Sequence, residues 1–334
     1  MRRTLTAVLA AALLGALVPS VAQAAPCPAP PAADTSTAAG WIGYLAEHRD
    51  TVSVVIDDGR GGVLRHRPDA AMPTASMVKI VHLAALSAEA AAGRVDPNER
   101  IPLAAWQKWY VAYRGVGLDG GRHVAALKYL GIPATNGVPH DMSGTVSLAQ
   151  LADVMIRFSD SAAPDALRAR LGDGPLRAIT DRYGLPGPIG TFKALYDGAL
   201  TSGATTEQQL FAYTDSTYSA SAESFARLIG DLASGRFGPG AQMARTYLEY
   251  QGIAPEGLSA FGFKGGSLPG TLTEAFEGRR PDGSVTVGVF MLHRAPAADL
   301  RKDSAASMPH QAMLINAMID RTARTQLACA LGQS

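Results

Sequence analysis

The chain has 334 residues, a formal charge of +1 and 47% hydrophobic residues. That length and apolar content suffice for one full core, and the near-neutral charge without a long basic run excludes nucleic acid as a partner. Only two cysteines occur, Cys27 and Cys329, and no His or Cys cluster has metal-ligand spacing, so no metal or other cofactor is implied.

Residues 1–24 read as a secretory signal. They carry Arg2 and Arg3, an apolar run from Leu5 to Val18, and the small-residue site Ala22-Gln23-Ala24 before Ala25. The run is too short to span a bilayer comfortably and a cleavage site follows it, so a secreted, extracellular protein without a stable membrane anchor is expected. The paired arginines also hint at twin-arginine export. Losing Arg2 and Arg3 takes the charge to −1 and leaves about 310 residues, with no second apolar stretch of membrane length. The expectation is one monomeric domain over 41–334 behind an extended Pro- and Ala-rich lead-in over 25–40. In an oxidising compartment an even cysteine count favours a Cys27–Cys329 bond. A lipid on Cys27 is the alternative, and Pro26 is wrong for a site that needs a small, flexible residue there.

Along the chain, Trp41 to Glu47 has the pattern of a first helix. The β-branched run Thr51 to Asp57, then Asp58-Gly59 and Val63-Leu64, predicts a hairpin. After Met72-Pro73 an apolar helix runs to about Ala92, and its all-round apolar character predicts burial. The region from Ala104 to Gly144 is the least regular. Its Trp106, Trp109, Tyr110 and Tyr113 read either as a substrate-facing wall or as a satellite hydrophobic cluster, and His123 as packing or a loop hydrogen bond. Ser147 with Gln150 predicts a capping box for a helix through Leu148, Leu151, Met155 and Phe158. Further helices are expected over Ser221 to Ala233, Ala241 to Tyr250 and about Pro309 to Thr325. Strands are expected at Phe261 to Lys264, Thr271 to Phe276 and the alternating Val285, Val287, Val289 and Met291. Strands at both ends with helices between them imply an α/β (α+β) chain built on a mixed antiparallel sheet.

Three short motifs carry chemistry. Ser76 and Lys79 are spaced i and i+3 at the start of the buried helix, so a hydroxyl and an amine share one face. A serine hydroxyl becomes a good nucleophile when a neighbouring base takes its proton. Ser159-Asp160-Ser161 follows at a helix end, and Lys264-Gly265-Gly266-Ser267 lies on a late strand.

In this order the motifs resemble the Ser-x-x-Lys, Ser-Asp-Asn and Lys-Thr-Gly set of class A β-lactamases and penicillin-binding proteins. The resemblance covers nearly all of the chain after the signal. It implies a five-stranded antiparallel sheet flanked by helices, beside a helical lobe, with the site between them. It makes Ser76 the residue that forms an acyl-enzyme, Lys79 its partner, Ser159 the hydroxyl that passes a proton to the leaving group, and Lys264 a cation that lowers the Lys79 pKa and attracts an anionic substrate group. Ser161, Gly266 and Ser267 would bind substrate, the backbone NH groups of Ser76 and Ser267 forming an oxyanion hole. The implied substrate is a small molecule or peptide, β-lactam or cell-wall-like. A D,D-peptidase-like enzyme and a non-catalytic binding protein on the same fold are the alternatives. Three departures stand out: Ser161 in place of Asn, Gly265 in place of Thr, and no Glu-x-x-Leu-Asn between Asp181 and Leu200, the element whose glutamate activates the deacylating water. Asp197 and Glu207 are the candidate replacements.

Overall fold

A computed structural model describes residues 27–113 and 116–333. The signal-peptide reading over 1–24 lies outside the described residues. Residues 27–34 have no regular structure, and α1 (Ala38–Glu47) starts where Thr37 accepts a hydrogen bond from the Gly40 amide. β1 (Val52–Asp57) and β2 (Val63–His66) form the expected hairpin, and α2 (Lys79–Ala91) follows.

The middle of the chain is helical. It holds α3 (Arg122–Tyr129), α4 (Leu148–Arg157), α5 (Ala162–Leu171), α6 (Phe192–Thr201), α7 (Glu207–Asp215), α8 (Ala222–Ser234) and α9 (Ala241–Leu248). The capping box at α4 is present, with the Gln150 amide donating to Ser147 and the Gln150 side chain accepting from the Ser147 amide. Three long strands return the chain to the sheet: β3 (Ala260–Leu268), β4 (Thr271–Arg279) and β5 (Val285–Leu292). The five strands are antiparallel in the order β3-β4-β5-β1-β2.

The end of the chain departs from expectation. One helix over Pro309 to Thr325 is predicted, whereas two form, α10 (Pro309–Ile319) and α11 (Arg321–Ala330). Asp320 adopts extended backbone between them and its carboxylate caps the second helix through the Ala323 amide at 2.6 Å. A capping side chain offered in mid-pattern ends one helix and starts the next.

Both faces of the sheet are covered, which is why β1 is apolar at successive positions. Val54 and Ile56 pack with Trp41, Leu45, Phe290, Leu314 and Met318 under α1, α10 and α11. Val55 and Val289 face the other way, into the core with α2, α4 and α8. Cys27 and Cys329 form a disulfide across a separation of 302 residues, tying the lead-in to α11. The chain-entropy view gives about 5–6 kcal/mol for a loop of that size, and disulfides typically contribute roughly 2–4 kcal/mol. Among the described residues no helix is long and apolar enough to cross a membrane.

Candidate active site

Ser76 sits on a single 3-10 turn, Ala75–Val78, that feeds into α2, and Lys79 is the first residue of that helix. The pair is therefore not on regular α-helix, as its spacing predicts. A 3-10 turn eclipses positions i and i+3, which brings Lys79 Nζ to 3.0 Å from Ser76 Oγ. Ala75 has a φ of 46°, and Ser159, just past the end of α4, has a φ of 57°. Non-glycine residues in this left-handed region cost on the order of 1–3 kcal/mol each and persist where surrounding structure holds them. Here both adjoin Lys79 partners.

Lys79 joins the first two motifs. Its Nζ donates to the Ser159 carbonyl at 2.6 Å and lies 3.1 Å from Ser159 Oγ and 3.2 Å from Ser161 Oγ. Burial, and then the charge of Lys264, hold the amine well below the ordinary lysine pKa, against the opposing pull of Asp160. Four oxygens around one nitrogen exceed the three hydrogens of an ammonium. A neutral amine offers the same number of positions, two hydrogens and a lone pair, so one contact is shared in either form, and in the neutral form the lone pair faces the Ser76 hydroxyl proton.

Asp160 fixes the second motif from beneath. Its carboxylate accepts from Trp106 Nε1 at 3.1 Å, from the Ala163 amide at 2.6 Å and pairs with His123 Nδ1 at 2.6 Å. Burial alone would raise its pKa, but His123 and these hydrogen bonds leave it below the usual value. Tyr110 stacks on His123 with ring centroids 4.4 Å apart. The aromatics at Trp106 and Tyr110 therefore form a packed support under Ser159 and Ser161.

The third motif lies on β3, the edge strand nearest the Ser76 turn. A Cβ at Gly266 would fall 2.5 Å from the Ser76 amide nitrogen and 2.9 Å from that of Met77, so only glycine permits this approach. Thr273, paired with Gly266 in the sheet, donates to the Thr74 carbonyl at 3.0 Å and fastens the turn to the strand. Ser267 is exposed at the next position. Lys264 is buried, donates to the Gly265 carbonyl, and has its pKa lowered to about 7 by burial, with Glu274 opposing and Arg122 adding to the shift. Gly265 has its own steric reason: it faces Glu274 across the ladder, and a Cβ there would lie 2.6 Å from a Glu274 carboxylate oxygen.

Neither candidate replacement base touches Ser76 or Lys79. Asp197 pairs with Lys193 at 2.9 Å on the outer side of α6, and Glu207 accepts from the Ala297 amide at 2.7 Å. Instead the start of α6 brings Phe192 to the site, its ring centroid 4.4 Å from Lys79 Nζ. Asp165 holds that helix end by accepting from the Phe192 amide at 3.0 Å and the Lys193 amide at 2.8 Å, and burial raises its pKa to about 6. Tyr196 OH lies 3.1 Å from Ser161 Oγ. Phe192, Asp165 and Tyr196 escape a search for titratable motifs, but the run Phe192-Lys193-Ala194-Leu195-Tyr196 keeps the leucine register of Glu-x-x-Leu-Asn with Phe and Tyr at its ends. A cavity of about 400 Å³ is lined by Phe192 together with Thr74, Ala75, Leu195, Tyr213 and Tyr218 among others.

This geometry agrees with the comparisons. The sequence model described as the β-lactamase enzyme family matches residues 41–251, more than half of the chain. The chain belongs to the β-lactamase enzyme family. Among solved structures, a β-lactamase from Sphaerobacter thermophilus superposes with a TM-score of 0.58 at 20% identity, covering 89% of this chain and 98% of that one. A point mutant of PBP-A, solved as an acyl-enzyme complex with penicillin G, gives 0.54 at 18% identity over 81% and 94%. A class A β-lactamase of the last common ancestor of Gram-negative bacteria gives 0.55 at 17% identity over 83% and 97%. Identities this low show a shared fold. Among curated proteins no sequence matches significantly.

Proposed function

We propose that this family member is a secreted serine hydrolase in which Ser76 is acylated by an amide or ester, a β-lactam or a cell-wall-like peptide, and released slowly. The observation that carries the reading is the buried Lys79 amine 3.0 Å from Ser76 Oγ, held toward its neutral form. In acylation Ser76 Oγ bonds to the carbonyl carbon as its proton passes to Lys79 Nζ. The backbone NH groups of Ser76 and Ser267 hold the oxyanion. When the scissile C–N or C–O bond breaks, Ser159 Oγ gives its proton to the leaving atom and regains one from Lys79, so protons balance. The disulfide fits an oxidising compartment.

Slow release follows from Phe192. Deacylation needs a water and a base that activates it, and the space against Lys79 holds an aromatic ring where a carboxylate would serve. That favours a penicillin-binding, peptidase-like role over rapid antibiotic destruction.

The test is intact-mass analysis of the purified protein with excess penicillin G, run beside absorbance with a chromogenic cephalosporin. A covalent adduct that outlasts removal of free drug, with slow cephalosporin turnover, is expected. Rapid turnover without a persistent adduct contradicts slow release. The absence of any adduct or turnover, with simple esters and D-amino-acid peptides equally inert, contradicts acylation and leaves the binding-protein reading.

A further inference from the structure

Arg122 opens α3 in the irregular segment, and that segment is pinned to the site. Its neighbour His123 is bonded to Asp160, between Ser159 and Ser161, and the Asp119 carboxylate accepts from the His123 amide at 2.7 Å. The guanidinium is half-buried and has no hydrogen-bond or ion-pair partner among the described residues, although its charge reaches both Lys79 and Lys264. A half-buried arginine without a partner, set beside two buried lysines, suits an anion.

Next to Lys264, the strand is backed at Gly265 by a carboxylate. Glu274 Oε1 accepts from His310 Nε2 at 3.1 Å and from Gln311 Nε2 at 2.8 Å, while Oε2 is buried without a partner. The carboxylate occupies the volume that a side chain at Gly265 would fill. A substrate carboxylate laid over Gly265 would meet this like charge at close range.

We propose that Arg122 holds a carboxylate of the substrate from the helical side of the cleft, and that Glu274 keeps this group off the strand at Gly265. The proposal rests on Ser76 being the acylated residue. Arginine suits the task because its planar fork binds a carboxylate through two parallel hydrogen bonds. Anion recognition is thereby shared between Lys264 of the third motif and the irregular segment, and that segment acquires a substrate-binding role.

The experiment compares two benzoylglycyl thioesters, identical except that one leaving group ends in a carboxylate and the other in a carboxamide. In both, the Ser76 Oγ–carbon bond forms, the carbon–sulfur bond breaks and the thiol departs with the serine proton. The readout is the ratio of kcat/KM for the carboxylate to that for the carboxamide. Arg122→Ala should lower this ratio about tenfold, mainly through KM, Arg122→Lys should restore part of it, and Glu274→Gln should raise it. An unchanged ratio in Arg122→Ala, with the wild-type melting temperature, overturns the proposal. Intact mass with the carboxamide thioester separates the two claims: an adduct on Ser76 with an unmoved ratio sinks only the role of Arg122, whereas no adduct in the wild type sinks the acylation reading and this proposal with it.

Discussion

Two buried polar clusters lie on opposite sides of the sheet, and they are built by opposite rules. Behind it, His310 pairs with Asp303 at 2.7 Å and with Glu274 at 3.1 Å, and Trp41 Nε1 donates to Asp303 at 2.8 Å. The imidazole pKa is raised to about 9, because the carboxylate hydrogen bonds and charges outweigh the cost of burial. In front, Lys79 and Lys264 are buried near Arg122, and burial lowers both, helped by the charge of Lys264 and Arg122 at Lys79 and of Arg122 at Lys264. A cluster that pairs opposite charges consolidates the fold, whereas one that crowds like charges weakens it and produces a reactive amine. Left-handed backbone borders both clusters, at Ala75 and Ser159 in front and at Ser307 and Met308 beside His310 behind.

The largest effect that sharpens this contrast is on rate. Lys79→Met should slow Ser76 acylation by about a thousandfold, the range for loss of a positioned base, measured by stopped-flow mass or absorbance under single-turnover conditions. A decrease of only a few-fold would mean that another group takes the proton. On the other side, Asp303→Asn removes half of a buried pair and should destabilise by about 3–5 kcal/mol, a fall of about 5–8 °C in melting temperature. The acylation rate of the molecules that remain folded should stay as it was. Cys27→Ser also acts behind the sheet and should cost roughly 2–4 kcal/mol in denaturant titrations, again with rate preserved.

The smallest effect concerns pH. Lys264 is a cation below about 7, so acylation by a carboxylate-bearing substrate should be full there and decline about tenfold per pH unit above it. His310 has a folded pKa above its unfolded one. Its contribution to stability is thus complete below the ordinary histidine value of 6.5 and disappears as pH rises through about 9. Activity should therefore fail before stability does on the alkaline side. Coincident losses would erase the distinction between the clusters.

Much of this contrast is legible in the amino-acid order. The Ser-x-x-Lys spacing, the apolar strands and the capping box at Ser147 each depend on residues close in sequence, and each forms. What stays hidden depends on contacts between distant segments. Phe192 reaches Lys79 only because Asp165, on another helix, captures the start of α6. The partners of Glu274 come from α10, and the reason for glycine at position 265 is a carboxylate on the next strand. Asp320 looks like one more polar residue in a helical pattern until its carboxylate turns to cap α11. Arg122 carries no motif, and its charge reaches Lys79 and Lys264 because the next residue, His123, is bonded to Asp160.

The protonation of Lys79 is the most direct test. Only six lysines occur in the sequence, so nuclear magnetic resonance of protein labelled at the lysine ε-carbons, with the Lys79 signal identified by its loss in Lys79→Met, can follow the amine through pH. The Lys79 amine should lose its proton well below the ordinary lysine value of 10.5. A Lys79 signal that remains that of an ammonium until the ordinary range would contradict the account.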